Sequence, residues 1–389
     1  MLRDKKILLG VCGGIAAYKA VDLASRLTKA GAVVMIIMTE GAQEFVSPLT
    51  FRSITGQSVT TRLFNSEAPI EHVSLAEWSD LLVIAPATAN IIGKISSGIA
   101  DDLLTTTIMA CTAPKLIVPA MNSRMWENPI VQNNINQLYS YEYLVMPPDT
   151  GRLACGYEGK GRFPEVSEIA LWVMSALYYP RDLIGKKLLV TAGACREYLD
   201  PMRYISNESS GKMGLAIARA AYHRGAEVTL IAGHTNERVP YFIKNIRKSS
   251  AKEMYDETLD QAEKMDIIIM TAAVTDFQFR DKSAVKIKKE EFGSTSLKLE
   301  MQPTVDILKE LGKIRKEQQK LIGFAAETDN MITNARKKLE AKNCDYIVAN
   351  NISCAGNEET DVVIIDKDNK TEISGTKFFV AHRILDIIK

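Results

Sequence analysis

The stretch ILLGVCGGIAAYKAVDLASRLTKAGAVVMIIMT, residues 7–39, decides the fold of this chain. An apolar run at 7–11 breaks at Gly13-Gly14, apolar residues then recur at helical spacing up to Gly31, and Val33–Met38 is a second apolar run. Uninterrupted apolar runs predict strands covered on both faces, and a glycine closing the periodic stretch suits a helix C-terminus. The order of strand, turn, helix and strand opens a parallel α/β sheet.

Further runs at 81–85 and Lys115–Pro119 each end in small and polar residues, APATAN (85–90) and PAMN (119–122). After Pro147-Pro148, GRLACGYEGKGRFPE (151–165) is glycine-rich, charged and too long for a simple turn; it reads as a mobile flap, followed by a helix around 168–178. At Gly185 the grammar restarts: KKLLVTAGA (186–194) echoes KKILLGVCGG (5–14), and GKMGLAIARAAYHRGAEVTLIAG (211–233) gives another helix, glycine and strand. MDIIIMTAAVTDF (265–277), LIGFAAET (321–328) and CDYIVANN (344–351) predict three more strands with polar exits, where open α/β sheets bind ligands. VVIID (362–366) and KTEIS (370–374) predict a closing hairpin or edge strands. The expected fold is α/β, two Rossmann-like domains with mostly parallel sheets, covering 1–183 and 184–389.

Length agrees with two domains, since 389 residues exceed what one core of roughly 150 residues organises. Lys+Arg 48 against Asp+Glu 47 leaves no basic field, so nucleic acid is not an expected partner and any polyanion must be bound locally. No stretch is apolar for long enough to span a bilayer, and the basic-then-apolar N-terminus reads as a first strand rather than a signal peptide. Six cysteines (Cys12, Cys111, Cys155, Cys195, Cys344, Cys354) form no CxxC pair, which suits reduced thiols in the cytoplasm. Four histidines, none at ligand spacing, argue against a zinc site.

Taken singly, the polar motifs have ordinary structural explanations. Gly13-Gly14 is a natural phosphate seat at a helix start, but a tight turn wants glycine too. Glu40 could hold a ribose, which keeps an NAD(P) dehydrogenase open, while Thr39 could equally donate to a flavin phosphate. Ser210-Gly211-Lys212 lacks the upstream glycine and has Met213 where a P-loop needs a hydroxyl, and there is no GxSxG. His72, Asn122 and Cys155 would each pass as a surface histidine, a turn cap and a plain thiol.

Their joint occurrence changes the weight. His72, PAMN with Asn122 and LACG with Cys155, together with APATAN and ADDLL (100–104), stand in the order and approximate spacing of flavin-dependent cysteine decarboxylases, which the first half resembles. DPMRYISNESSGKMG (200–214), TAAVTDF (271–277) with KIKK (286–289), and GFAAET (323–328) with ARKKLEAKNCD (335–345) are similar to phosphopantothenate–cysteine ligases. Nearly the whole chain thus resembles the bifunctional phosphopantothenoylcysteine decarboxylase/phosphopantothenate–cysteine ligase family of coenzyme A biosynthesis.

That resemblance implies two reactions. CTP, with magnesium, converts 4′-phosphopantothenate to an acyl-cytidylate that cysteine captures; FMN-dependent decarboxylation then gives 4′-phosphopantetheine. For the first half it implies His72 as catalytic base, Asn122 on the substrate carboxylate and Cys155 as proton donor, with Gly13, Gly14, Thr39, Thr88 and Asn90 at the flavin. For the second it implies Asn207 at the acyl-cytidylate, Arg203 on phosphate or substrate and Lys286 on the nucleotide. Ala272, Asp276, Val305, Asp306, Ile307, Leu308, Phe324, Lys338 and Lys342 fall at its CTP positions. The metal ligands are left unassigned. The family also implies a homo-oligomer, decarboxylase trimers that can associate further, up to a dodecamer, and ligase dimers. Two departures stand out: Gly193-Ala194-Cys195 where bacterial ligases commonly carry Gly-Gly-Thr, and Cys12 where a hydroxyl is frequent. A flavin-binding regulator without turnover is the alternative of a different class.

Overall fold

Strands that are apolar along their length need helices on both faces, and the chain supplies them twice. The computed structural model describes residues 2–64, 70–154, 156–288, 298–327, 329–351 and 356–389. It forms two compact units, Met1–Pro180 and Arg181–Lys389. Asp182 and Leu183 belong to the second: Leu183 is buried in its core, and its amide donates to the carbonyl of Arg224 at 3.1 Å.

In the first unit, β1 (Lys6–Val11), β2 (Val33–Met38), β3 (Val59–Thr60), β4 (Leu81–Ala87), β5 (Lys115–Pro119) and β6 (Leu144–Val145) lie in the order β3-β2-β1-β4-β5-β6. Every pairing is parallel, with Ile7 level with Val34 on one side and Leu81 on the other. β4 is buried at all seven positions. Burying each such Leu, Ile or Val stabilises the unit by roughly 1.5–3 kcal/mol before chain entropy is charged. The stretch read as a flap is an antiparallel hairpin, β7 (Asp149–Arg152) and β8 (Glu158–Arg162). It is seated on the PAMN loop: the Met121 amide donates to the Gly161 carbonyl at 3.0 Å. At Gly161, φ is 134° and a Cβ would come within 2.4 Å of the Met121 carbonyl oxygen, so only glycine fits that approach.

In the second unit, β9 (Lys187–Ala192) is followed by a small hairpin, β10 (Arg196–Tyr198) with β11 (Tyr204–Ser206). The main sheet continues with β12 (Glu227–Ala232), β13 (Lys244–Arg247) and β14 (Ile267–Met270). A two-stranded ribbon, β15 (Phe277–Phe279) with β16 (Met301–Pro303), precedes β17 (Lys320–Glu327), β18 (Tyr346–Asn351), β19 (Glu359–Ile365) and β20 (Lys370–Thr376). The main order is β13-β12-β9-β14-β17-β18-β19-β20, parallel through β18, with β19 and β20 an antiparallel edge hairpin. Both units are therefore mixed α/β with mostly parallel sheets, as the sequence predicts.

A buried charge ties the second unit's ends together. Arg224, with a fully buried side chain, takes both Asp182 oxygens at 2.8 and 2.7 Å, Asp386 at 2.8 Å and the His382 carbonyl at 3.1 Å. The Arg224 guanidinium holds Asp182 at about 2, against an ordinary 3.8. Burial first, and then Arg224, pushes His382 down to about 3 from an ordinary 6.5; burial also pushes His223 well down.

These shifts fix the acid limb of stability. Below about pH 6.5 the unfolded chain takes up protons on His382 and His223 that the folded unit refuses, so stability falls as pH drops. The Asp182 contribution is complete above its unfolded value of 3.8 and is lost as pH falls toward 2. Calorimetry between pH 7 and 4 is expected to show a falling Tm for the second unit, with a shallower slope in His382→Phe. Equal slopes would remove the buried imidazole as the cause.

Candidate active sites

Both sheets reverse their strand order beside the first strand of the unit, leaving a crevice at the carboxyl ends of β1 and β4 and another at those of β9 and β14. In the first unit that crevice is a cavity of about 1170 Å³, walled by the turn 12–16, Thr39–Gly41, the loop after β4, Ala120–Asn122 and the hairpin tip. Gly13, Gly14, Thr39, Thr88, Asn90 and Asn122 all reach it.

The two glycines do different work there. A Cβ on Gly13 would sit 2.7 Å from the Gly41 carbonyl carbon, so its glycine is demanded by packing; one on Gly14 would meet only the Thr88 methyl at 3.7 Å, an ordinary contact. The helix Ala17–Lys29 starts beside them with no side-chain cap, which leaves the positive end of its dipole toward the cavity. Thr39 precedes the short helix Glu40–Gln43 without capping it, so its hydroxyl is not spent there. Thr88 is spent: it caps the helix Ala89–Ser96 by accepting from the Ile91 amide at 3.3 Å. Asn122 likewise accepts from the Arg124 amide at 2.9 Å.

Cys12, the first departure, is buried at the cavity wall; burial pushes its thiol up to about 12, so it stands there as a neutral, weakly donating group. Cys155 lies outside the described residues, although its neighbours Leu153, Ala154 and Gly156 wall the cavity. His72 is not among the lining residues. It sits in the first turn of the helix Glu71–Trp78, its Nδ1 buried and without a hydrogen-bond partner among the described residues.

Sequence reasoning assigned no role to a charged cluster on the same wall. Lys94 Nζ lies 2.7 Å from Asp101 and 3.3 Å from Asp102, and the Asp101 carboxylate holds its ammonium well protonated. Asp102 also closes a capping box with Thr105 at the start of the helix Leu103–Ala110. The sequence carried a signal for it, because Asp102 directly before the apolar pair Leu103-Leu104 is a preferred helix N-cap.

The second crevice draws its candidates together through a series of hydrogen bonds. Asn207 Nδ2 donates to the Val274 carbonyl at 3.1 Å, which joins the β10–β11 hairpin to the loop after β14. The Thr304 amide donates to the Asp276 carbonyl at 2.9 Å, which brings in residues 305–308. Asp306 caps the helix Ile307–Ile314 and pairs with Lys342; burial raises its pKa, but the Lys342 ammonium, the Lys309 amide and the Lys338 charge together outweigh that and the net shift is down. Lys338 Nζ donates to the Phe324 carbonyl at 2.7 Å, with burial pushing its pKa below the ordinary amine value. Lys338 and Lys342 are thus bound inward, whereas Arg336 and Lys337 on the same helix are exposed. Ala272, with its amide donating to Thr191 Oγ1 at 3.2 Å, borders the same crevice. Ile307 and Leu308 are buried in the core, so only their backbone can meet a ligand.

Lys286 and Arg203 are exposed, and Arg203 Nη1 is engaged within the chain, at 2.6 Å from Asp200 and 3.1 Å from the Ile287 carbonyl. The second departure is resolved by geometry. Ala194 exchanges 2.8 Å backbone bonds with His234, and the Cys195 side chain is buried against Met254 with its thiol pushed up to about 12 by burial. This turn offers a nucleotide no side-chain hydroxyl, and the Ala194 and Cys195 amides are already bonded within the chain. Lys289 and Thr328 lie outside the described residues.

The whole chain has relatives of known kind. The flavoprotein family model matches residues 1–177, and that of the DNA/pantothenate metabolism flavoprotein C-terminal domain matches 183–389. A coenzyme A biosynthesis bifunctional protein CoaBC of Bacillus subtilis is 46% identical over 375 residues, 94% of this chain and 91% of that one. Its namesake in Borreliella burgdorferi is 41% identical over 391 residues, all of both chains. Among solved structures, a PPC decarboxylase mutant complexed with pantothenoylaminoethenethiol is 35% identical and covers 44% of this chain and 97% of its own, with a TM-score of 0.40.

The unequal surroundings of the glycine pair give a direct test. Gly13→Ala is expected to cost about 1–3 kcal/mol, the usual penalty for overpacking against backbone, whereas Gly14→Ala stays within about 0.5 kcal/mol. Denaturant titration of both variants checks this; equal losses would mean that the turn is shaped by packing alone.

Proposed function

The chain belongs to the family of coenzyme A biosynthesis bifunctional proteins, and from that premise we propose an enzyme that ligates cysteine to 4′-phosphopantothenate at the expense of CTP and decarboxylates the product to 4′-phosphopantetheine. The first unit, Met1–Pro180, carries the decarboxylase and the second, Arg181–Lys389, the ligase in this reading. The observation that carries it is convergence: loops 12–16, 39–41, 86–90 and 120–122, far apart in sequence, meet at one cavity in a chain 46% identical to a named bifunctional protein.

The cavity fits FMN by its chemistry. Gly14 is uncrowded beside an uncapped helix start, the Thr39 hydroxyl does not cap the helix after it, and Asn90 is exposed in the first turn after β4. A bound flavin supplies the two-electron acceptor that an amidated cysteine lacks when its carboxylate is to leave. Thr39, Thr88 and Asn90, with the Gly13-Gly14 turn, hold it. Asn122 orients the substrate carboxylate. Cys155, next to residues that wall the cavity, returns a proton to carbon in the reductive step. His72 takes the proton released on oxidation; it lies off the cavity lining of its own chain. The proposed assembly is that of the family, with decarboxylase halves in trimers, ligase halves in dimers and the whole reaching a dodecamer; Phe64, Ile70, Ile99 and Met109 are exposed apolar side chains of the first unit.

In the ligase, the 4′-phosphopantothenate carboxylate attacks the α-phosphorus of CTP, pyrophosphate leaves, and the amine of cysteine then displaces CMP. Lys286, Lys338 and Lys342 spread positive charge along the triphosphate as it builds negative charge. Asn207 holds the acyl-cytidylate, Arg203 stands beside it, and Ala272, Asp276, Phe324 and the 305–308 backbone seat the nucleotide. Among the described residues no group of three or more His, Cys, Asp or Glu could hold a metal, so magnesium is proposed to arrive on the triphosphate. The cytoplasm is the proposed compartment, supported by Cys12, Cys111, Cys195 and Cys344, all buried and free; no helix among the described residues is long and apolar enough to cross a membrane.

The deciding experiment is a visible spectrum followed by a carbon dioxide assay with 4′-phosphopantothenate, cysteine, magnesium and CTP. Flavin absorbance with CTP-dependent release is expected. Flavin without release, even from supplied phosphopantothenoylcysteine, would leave a regulator, and failure to take up flavin would remove the decarboxylase.

Single substitutions separate the halves. Cys155→Ala is expected to slow formation of 4′-phosphopantetheine by about 10²-fold or more, stalling after oxidation with an ene-thiol product and reduced flavin while ligation stays intact, and Lys286→Ala or Asn207→Ala to slow ligation by about 10²–10³-fold with decarboxylation intact. Assaying each reaction with its own supplied substrate checks this; loss of both in one folded variant would rule out separate sites.

A further inference from the structure

Lys286 is exposed, and the residues on either side of it are laced to the hairpin that leads to Asn207. The Ser283 amide donates to the Leu199 carbonyl at 2.8 Å, and Lys282 Nζ lies 3.2 Å from Glu197. The remaining bonds meet on Asp200. One of its carboxylate oxygens accepts the Met202 and Arg203 amides, both at 2.8 Å; the other accepts Arg203 Nη1 at 2.6 Å and the Ile287 amide at 3.2 Å. Arg203 completes the bracket by donating to the Ile287 carbonyl at 3.1 Å. One fully buried carboxylate side chain thereby grips the residue next to Lys286 and the arginine four residues before Asn207.

We propose that Asp200 is a positioning residue of the ligase: it sets the segment carrying Lys286 against the hairpin carrying Asn207, so that the Lys286 ammonium is held where the triphosphate must lie. The proposal rests on the reading of Lys286 as a nucleotide contact. An acceptor is required on both oxygens, since every group facing them is a donor, and a fully buried side chain aimed at four donors has no solvent-exposed role to explain it. Burial alone would raise the carboxyl, but the three backbone amides and Arg203 more than offset it and the net shift is down, so the bracket is charged at working pH. On this account Arg203 acts first on the loop, through Ile287.

The test is a double-mutant cycle on the CTP dissociation constant of the flavin-loaded full chain, measured by calorimetry with magnesium and without 4′-phosphopantothenate, so that no turnover enters. Asp200→Asn places an amide donor against the Ile287 amide or the guanidinium and is expected to weaken CTP about tenfold, the scale of coupling between residues in one network. Lys286→Ala is expected to weaken it by at least as much, and the double variant to bind no more weakly than Lys286→Ala alone. Decarboxylation of supplied phosphopantothenoylcysteine should be unchanged throughout. Additive losses would overturn the proposal, since a general structural defect does not depend on Lys286; so would an Asp200→Asn that binds CTP like the parent. If Lys286→Ala binds CTP normally, the underlying reading of Lys286 fails and the proposal falls with it, a result told apart by that single variant. Should Asp200→Asn not fold, Lys282→Ala loosens the same segment from the surface. A weakening of about threefold that vanishes on the Lys286→Ala background supports the bracket, and an unchanged constant overturns it.

Discussion

The reversal of strand order beside β1 and β9 is the constraint from which both candidate sites follow. Parallel strands can be joined only by crossovers that return to the starting edge, so every loop leaving a carboxyl end lies on one rim. Where neighbouring crossovers go to opposite faces, no helix covers the gap between their loops, and a crevice opens without any residue being spent to make it. In the first unit the β1 and β4 loops are small and the crevice becomes a cavity. In the second the equivalent loops are bridged by backbone bonds, Ala194 with His234 and Cys195 with Ala273. The candidate residues there are borne instead on outlying pieces: the β10–β11 hairpin, the loop before the β15–β16 ribbon and the helix Met331–Ala341.

What could be read from sequence was whatever repeats with a period. The apolar runs, the glycines after helices and the restart at 185 gave both sheets, because burial on two faces leaves an unmistakable continuous pattern. Contacts between distant backbone segments leave no such trace. Gly13 and Gly14 are identical letters, but one is pressed against Gly41 and the other has only an ordinary contact with the Thr88 methyl. Cys195 stood where a hydroxyl was expected, and its burial against Met254 is a property of the helix Ala251–Ala262, more than fifty residues on. Lys338 and Lys342 looked like half of a basic helix face until Phe324 and Asp306, on other elements, drew them inward and left Arg336 and Lys337 outside. His72 enters the family's catalytic set by order and spacing alone, and where it stands, off the cavity lining of its own chain, is not legible from spacing, which carries no information about which face of a helix meets which loop.

Buried ionic groups serve opposite ends in the second unit. Arg224 is closed on all sides by Asp182, Asp386 and a carbonyl, and holds the beginning of the unit to its last helix. Breaking such a pair by removing one partner leaves an uncompensated charge and costs about 3–5 kcal/mol. Its neighbours His223 and His382 are kept neutral by the same burial, so the cluster is stable only while protons are scarce. Asp200 differs in that its cation is partly exposed and the groups it binds lead outward, to Ile287 and the hairpin. The first arrangement fixes the fold and the second fixes a loop.

The pairing of the ligase cations with carboxylates also bears on how a triphosphate is received. Lysines gathered without counter-charges would repel one another, and the cheapest relief is to lose protons or turn away into water. Asp306 beside Lys342 and Asp200 beside Arg203 hold two cations in place before any anion arrives. Lys338, whose nearest partner is the neutral Phe324 carbonyl, shows the alternative, since burial lowers its affinity for a proton. On the proposed reading, an arriving triphosphate would strengthen that affinity by supplying the missing negative charge, completing the electrostatics of Lys338 while competing for those of Lys342. Such a site would favour an anion able to satisfy both at once, as a long polyphosphate can and a single phosphate cannot.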